Sequence, residues 1–207
     1  AARGNGTDCA VKPNQCGGDP FYAVNYANAK AAGIRVRPYH RAFATGATRA
    51  EARADAISEA DVYLATVGTL TPGDLLPVLD VESPFTGLTA NRLRTWVRVW
   101  LKRVRARLGV KPMIYTNATS WRATGDTREF AKARYPLWVA QWSVSKPSVT
   151  AGKVTARIAI NAPTALFVAP PLLRDRVPFD GWTPWLILLL LPQSLPLTLP
   201  VVLLVGV

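Results

Sequence analysis

Asp80 and Glu82 stand two residues apart at the end of an apolar run, LLPVLDVESP over residues 75–84. In a strand, positions i and i+2 point to one side, so the two carboxylates share a face while Leu79 and Val81 take the other. Acids placed together in a buried strand repel each other and lose hydration, which raises at least one pKa. A proton-sharing pair of that kind suits acid–base chemistry. The plainer alternative is a solvated strand end, or a pair of partners for surface arginines. What surrounds the pair decides between them.

The elements that must position this pair alternate from Asp19 to Val154. DPFYAVNYANAKAAG opens on Asp-Pro, is alanine-rich and stops at Gly33, which predicts a helix. IRVRPYH predicts a short strand ending at Tyr39 and His40. Thr48 to Glu51 spells a capping box, opening a helix that runs to about Thr66. LLPVLDVE is the next strand. A further helix is capped by Thr89 and stopped by Gly109, with Leu93, Trp96, Val97, Trp100, Leu101, Val104 and Leu108 at helical spacing. Its arginines read as a solvated face. KPMIYTN and YPLWVAQW predict two more strands.

Helices alternating with short apolar strands imply parallel strands joined by crossovers. The polar residues then fall at the carboxyl ends of four strands: Tyr39 and His40, Asp80 and Glu82, Tyr115 and Asn117, Gln141 and Trp142. In an α/β fold of the (β/α) barrel kind, that end is the active-site face. His40, a lone histidine, reads first as a structural residue.

Composition narrows the partners. The 207 residues hold 25 Lys and Arg against 13 Asp and Glu, a formal charge of +12. Such an excess favours polyanions: nucleic acid, acidic membrane surfaces or the anionic polymers of a bacterial wall. Basic residues are not interleaved with aromatics in the way that stacks bases, so no nucleic-acid partner is expected. The two cysteines, Cys9 and Cys16, lie in a loop-like stretch and suit a small disulfide and an exported protein. One histidine and two cysteines make a zinc site a poor fit.

The segments NYANAKAAGIRVRPYH, LPVLDVES, KPMIYTNATSW and YPLWVAQW, in this order, resemble the glycoside hydrolase family 25 lysozymes of the Chalaropsis type. The resemblance covers about residues 1–145. It implies a modified, TIM-like (β/α) barrel that hydrolyses the β-1,4 bond between N-acetylmuramic acid and N-acetylglucosamine in peptidoglycan. It also implies an extracellular or envelope location, a monomer, and no cofactor or metal. Glu82 matches the family's general acid and Asp80 its carboxylate neighbour. Tyr39 matches a tyrosine of the active-site rim, while Tyr115, Trp138 and Gln141 match positions lining the sugar groove. An oxocarbenium-like transition state needs a proton for the leaving oxygen and negative charge nearby, which such a pair supplies.

The chain also departs from the family pattern. The family's first strand, with its Asp-Val-Ser start and a further active-site Asp, has no counterpart, and AARGNG resembles the tail of the second strand. Downstream of Lys146 the Trp-Gln-Tyr strand and the closing Val-Asp-Leu segment are not recognisable, so residues 146–207 form a divergent segment. The expected barrel is incomplete at both ends, which leaves an inactive remnant or a wall-binding module as the alternative function. The tail WLILLLLPQSLPLTLPVVLLVGV carries no charge and is long enough to span a bilayer. An out-of-frame or degenerate end, a membrane anchor and a buried barrel closure are its three readings.

Overall fold

The computed structural model describes residues 1–4 and 17–140, and the backbone alone at 160–161 and 164–165. Cys9, Cys16, Gln141 and the apolar tail lie outside the described residues.

In chain order the elements are β1 (Ala2–Arg3), β2 (Gly17–Gly18), α1 (Tyr22–Ala31), β3 (Tyr39–Arg41), α2 (Arg49–Val67), β4 (Val78–Asp80) and α3 (Ala90–Leu108). They continue with β5 (Met113–Asn117), α4 (Ala118–Arg122), α5 (Glu129–Lys132), β6 (Leu137–Ala140) and the pair β7 (Ile160–Asn161) and β8 (Thr164–Ala165). One sheet has the order β2-β1-β3-β4-β5-β6, and β7 pairs with β8 in a second. Strands β1 and β3 to β6 are mutually parallel, with β2 antiparallel at one edge. The fold is therefore mixed α/β around a parallel sheet. Among the described residues that sheet is open, with β2 and β6 as its edges, and they do not form the TIM-like barrel that the resemblance implies.

Proline sets where the strands begin. Pro38, Pro77, Pro112 and Pro136 each sit immediately before β3, β4, β5 and β6. Proline has no N–H to donate to a ladder, but its fixed φ suits an extended chain and its carbonyl still accepts. Accordingly Val78 N donates to Pro38 O at 3.0 Å, Met113 N to Pro77 O at 2.7 Å and Ile114 N to Pro136 O at 2.9 Å. This also corrects the first strand's bounds. Residues 34–38 are outside the ladder, and the strand proper is Tyr39–Arg41, one residue beyond the expected end at His40.

The helices end where their sequence says. Thr48 Oγ1 accepts from Glu51 N at 3.1 Å and Glu51 Oε2 accepts from Thr48 N at 3.2 Å, a complete capping box on α2. Such a cap contributes about 1 kcal/mol. Gly109 closes α3 in the left-handed region at φ 72°, where a side chain is disfavoured. Gly46, at φ 138°, packs so tightly that a Cβ would lie 2.5 Å from the Ala52 nitrogen.

The two faces of the sheet differ in chemistry. His40, Leu79 and Ile114 are in register across β3, β4 and β5 and face α2 and α3. From α3 come Leu93, Trp96, Val97, Trp100, Leu101 and Val104, all buried. From α2, Ala52, Ala56 and Ala60 at four-residue spacing let the helix approach closely. Each fully buried aliphatic side chain contributes about 1.5–3 kcal/mol, and truncating Trp100 to Ala would cost about 3–5 kcal/mol. His40 is structural: Nε2 lies 2.6 Å from Glu59 Oε2, its ring stacks on Trp100, and neither side chain of the pair is exposed.

Candidate active site

The opposite face of the sheet carries charged and aromatic residues. Arg3, Arg41, Asp80, Tyr115 and Trp138 are aligned by register across β1, β3, β4, β5 and β6. Residues paired across adjacent parallel strands point to the same side, so these five side chains form one row. Tyr39 lies on the same face, two residues before Arg41 and level with Val78 and so one step deeper than the acids. Tyr115 and Trp138 meet edge to face with ring centroids 4.9 Å apart. The Arg37 guanidinium sits 6.0 Å from the Trp138 ring centre and donates to Met113 Sδ at 3.3 Å.

Glu82 follows the end of β4, but its backbone is still held in line. Val81 N donates to Tyr115 O at 2.8 Å, and Thr116 Oγ1 donates to Val81 O at 2.7 Å. The Glu82 carboxylate accepts from Asn117 Nδ2 at 2.8 Å, on Oε1. Asn117 Oδ1 in turn accepts from Ser120 N at 2.8 Å and so caps α4. Ser120 Oγ accepts from Ser83 N at 3.0 Å, which fixes the residue after Glu82.

Arg41 ties the two acids together. Its Nε lies 3.7 Å from Asp80 Oδ2, its Nη1 donates to Glu82 O at 2.9 Å and its Nη2 to Ser83 O at 3.2 Å. Asp80 Oδ1 is buried without a hydrogen-bond partner among the described residues. Burial lifts the Asp80 carboxyl to about 7; Arg41 opposes that rise and Glu82 reinforces it. Asp80 is thus a raised acid, held in its protonated form to higher pH than a free carboxyl. Burial, then Glu82 and Asp80, push the Tyr115 hydroxyl up to about 12, so Tyr115 feels both carboxylates and stays a neutral donor.

This arrangement, two carboxylates of unequal environment beside an aromatic pair, occurs on a chain whose residues 14–160 match the glycosyl hydrolases family 25. The chain belongs to that family. It is 32% identical to lysozyme M1 of Streptomyces globisporus over 139 residues, which cover 65% of this chain and 46% of that protein. The chain spans about half the length of the curated relatives it matches. A bacterial lysozyme from Streptomyces coelicolor superposes with a TM-score of 0.56 at 32% identity, over 68% of this chain and 66% of that one. A family GH25 lysozyme from Aspergillus fumigatus gives a TM-score of 0.59 at 23% identity, over 75% and 78%, a likeness of fold.

Within this family 25 chain the structure brings Asp80, Glu82, Tyr115 and Trp138 to one region, places Tyr39 a step deeper, and does not describe Gln141. Sequence reading missed Arg41 and the clamp made by Asn117. Arg41 was hidden: it lies two residues after Tyr39, but only the β3–β4 register puts it beside Asp80. The Asn117 clamp had only the weak signal of an Asn three residues before a Ser at a strand-to-helix turn.

Proposed function

We propose that this chain is the catalytic region of a peptidoglycan muramidase, cleaving the β-1,4 bond from N-acetylmuramic acid to N-acetylglucosamine. The observation that carries the reading is the Asp80–Glu82 pair on the polar face of the sheet, in a chain of family 25. Glu82 is the proton donor to the leaving oxygen. Asn117 holds its Oε1 and the described residues give Oε2 no hydrogen bond, which leaves an oxygen for the substrate. Asp80, with a buried and unpartnered Oδ1, suits an N–H of the substrate's acetamido group, whose oxygen can then assist departure from the anomeric carbon. Tyr115 and Trp138 offer ring surface to the apolar faces of the sugars, with Tyr39 deeper in the groove. The open parallel sheet is read as part of a (β/α) barrel, in which this face lines the interior.

An exported, wall-acting protein fits the +12 charge. Among the described residues no helix is long and apolar enough to cross a membrane. The test is incubation of the full chain with purified peptidoglycan, following turbidity and the new reducing ends by mass spectrometry. Muramic-acid reducing ends support the reading; clearing that yields glucosamine reducing ends overturns the bond assignment. The second reading, a wall-binding module without turnover, is favoured by the open sheet. It predicts retention on the wall with no new reducing ends.

A further inference from the structure

Helix α3 carries seven Lys and Arg and no Asp or Glu over its 19 residues. Surface helices usually mix signs, and here Arg94 with Arg98, Arg98 with Lys102, and Arg103 with Arg107 are repulsive neighbours at i, i+4. Part of the charge is used internally. Arg98 pairs with Glu129, Arg103 with Asp61, and Arg92 and Arg94 donate to the carbonyls of Gly87 and Thr124. Arg105 and Arg107 are exposed and have no such partner among the described residues.

Topology decides where these charges stand. A crossover helix in a parallel sheet runs back against the strands, so the C-terminal turn of α3 lies at the sheet end where β5 begins, away from Asp80 and Glu82. The α5–β6 loop arrives at the same end, bringing exposed Lys132 and Arg134. Lys111 joins the two loops, donating to Ala133 O at 2.7 Å and lying 5.5 Å from the Tyr135 ring centre. Among the loops that lead into β3, β4, β5 and β6, the only carboxylate is Asp74, and Lys30 pairs with it at 3.1 Å.

Two features go beyond what helix stability asks. Bases in the last turn of α3 do favour the helix dipole, but Lys111, Lys132 and Arg134 lie outside that helix. Arg134 also stands at φ 58°, a conformation that glycine or asparagine would hold with less strain.

We propose that this basic end, formed by Arg105, Arg107, Lys132 and Arg134 with Lys111, docks a phosphodiester-linked anionic polymer of the bacterial wall. The protein is then held at one end while the opposite end faces the glycan. The choice of a wall polymer over nucleic acid rests on the muramidase reading and on the lack of exposed aromatics to stack bases in these loops; the binding itself does not require hydrolysis.

The experiment titrates the full chain with poly(glycerol phosphate) and with single-stranded DNA at matched phosphate concentration, across a series of salt concentrations. The variant Arg105→Gln/Arg107→Gln/Lys132→Gln is compared with Arg49→Gln/Arg53→Gln/Arg128→Gln, which removes the same charge elsewhere. The first should weaken polymer binding at least about tenfold and flatten the salt slope by about 2, while the control changes affinity less than about threefold. Arg134→Asn, which relieves the strained backbone, should still weaken binding, so a folding failure of the triple variant leaves the test intact. Equal losses in both triple variants, or no polymer binding by the parent, overturn the proposal. Tighter binding of DNA than of the polymer overturns it in favour of a nucleic-acid partner. Clearing of walls stripped of phosphate polymer should proceed equally for parent and variant, which separates failure of docking from failure of the muramidase reading.

Discussion

Asn117 holds Glu82 from the neighbouring strand: its Nδ2 donates to Oε1 at 2.8 Å while its Oδ1 accepts from Ser120 N at 2.8 Å. One amide therefore caps a helix and orients a carboxylate. Both ends of the side chain are committed, so its rotamer and its flip state are fixed by the network. Asn117→Asp separates the two roles. It keeps the capping oxygen but replaces the donor with a second negative charge beside Glu82. The variant should retain stability and lose activity, with the alkaline limb of the pH–rate profile, which reports the proton donor, moved upward. Asn117→Ala should in addition lose about 1 kcal/mol of stability, read by urea denaturation.

Glu82→Gln keeps the shape and the Asn117 contact but cannot deliver a proton. Loss of a general acid typically costs about 10²–10⁴-fold in rate. Turnover on peptidoglycan should fall by that much with the melting curve unchanged. Parental clearing by the Gln variant would show that Glu82 is not the acid.

Asp80 gives the fold a pH dependence. Its carboxyl is lifted from 3.8 to about 7 by burial, so the folded state keeps a proton that the unfolded chain has lost between those values. Stability contributed by this group is thus full below about pH 4 and falls as pH rises to about 7. The penalty above pH 7 is on the order of 4 kcal/mol. Asp80→Asn should remove that downward slope in urea titrations run from pH 4 to 7, and should lower the rate. A parental slope in the Asn variant would show that another group causes it.

Strands β4, β5 and β6 were legible as short apolar runs, and helices α2 and α3 because Thr48, Thr89 and Gly109 mark their ends with groups that satisfy backbone N–H or permit positive φ. The D-x-E pair was legible from alternation alone. Arg41 was not, because deciding which strand lies beside β4 and in which register requires the sheet itself. Glu59 was equally hidden. A glutamate in the capping-box helix looks solvated until the helix is laid against His40, where both side chains become fully buried.

That buried pair yields the fourth prediction. Burial pushes His40 down, so a neutral imidazole donates through Nε2 to the Glu59 carboxylate, which also accepts from Phe43 N at 3.1 Å. Removing one partner strands the other polar group in the core. Glu59→Leu and His40→Leu should each destabilise by about 3–5 kcal/mol, while the double variant should recover part of the loss. A double-mutant cycle in urea reads the coupling, and additive losses would refute it.

Arg41 supplies the last. The guanidinium holds the carbonyls of Glu82 and Ser83 and faces Asp80 Oδ2, so it fixes the peptide that carries the acid and tempers the burial penalty on its neighbour. Arg41→Met keeps the length and apolar stem of the side chain but removes the charge and the donors. With the opposing cation gone, the Asp80 carboxyl should titrate at a higher pH than in the parent, visible by ¹³C carboxyl NMR without any assay of activity. The rate should drop through kcat more than KM, because the loss is of alignment at the reacting bond. Arg41→Lys should restore the titration, since it returns the charge. It should not restore the rate, because a single ammonium cannot reproduce the fork that holds two carbonyls. If Lys rescues both, Arg41 acts only as a charge, and the peptide clamp plays no part in positioning Glu82.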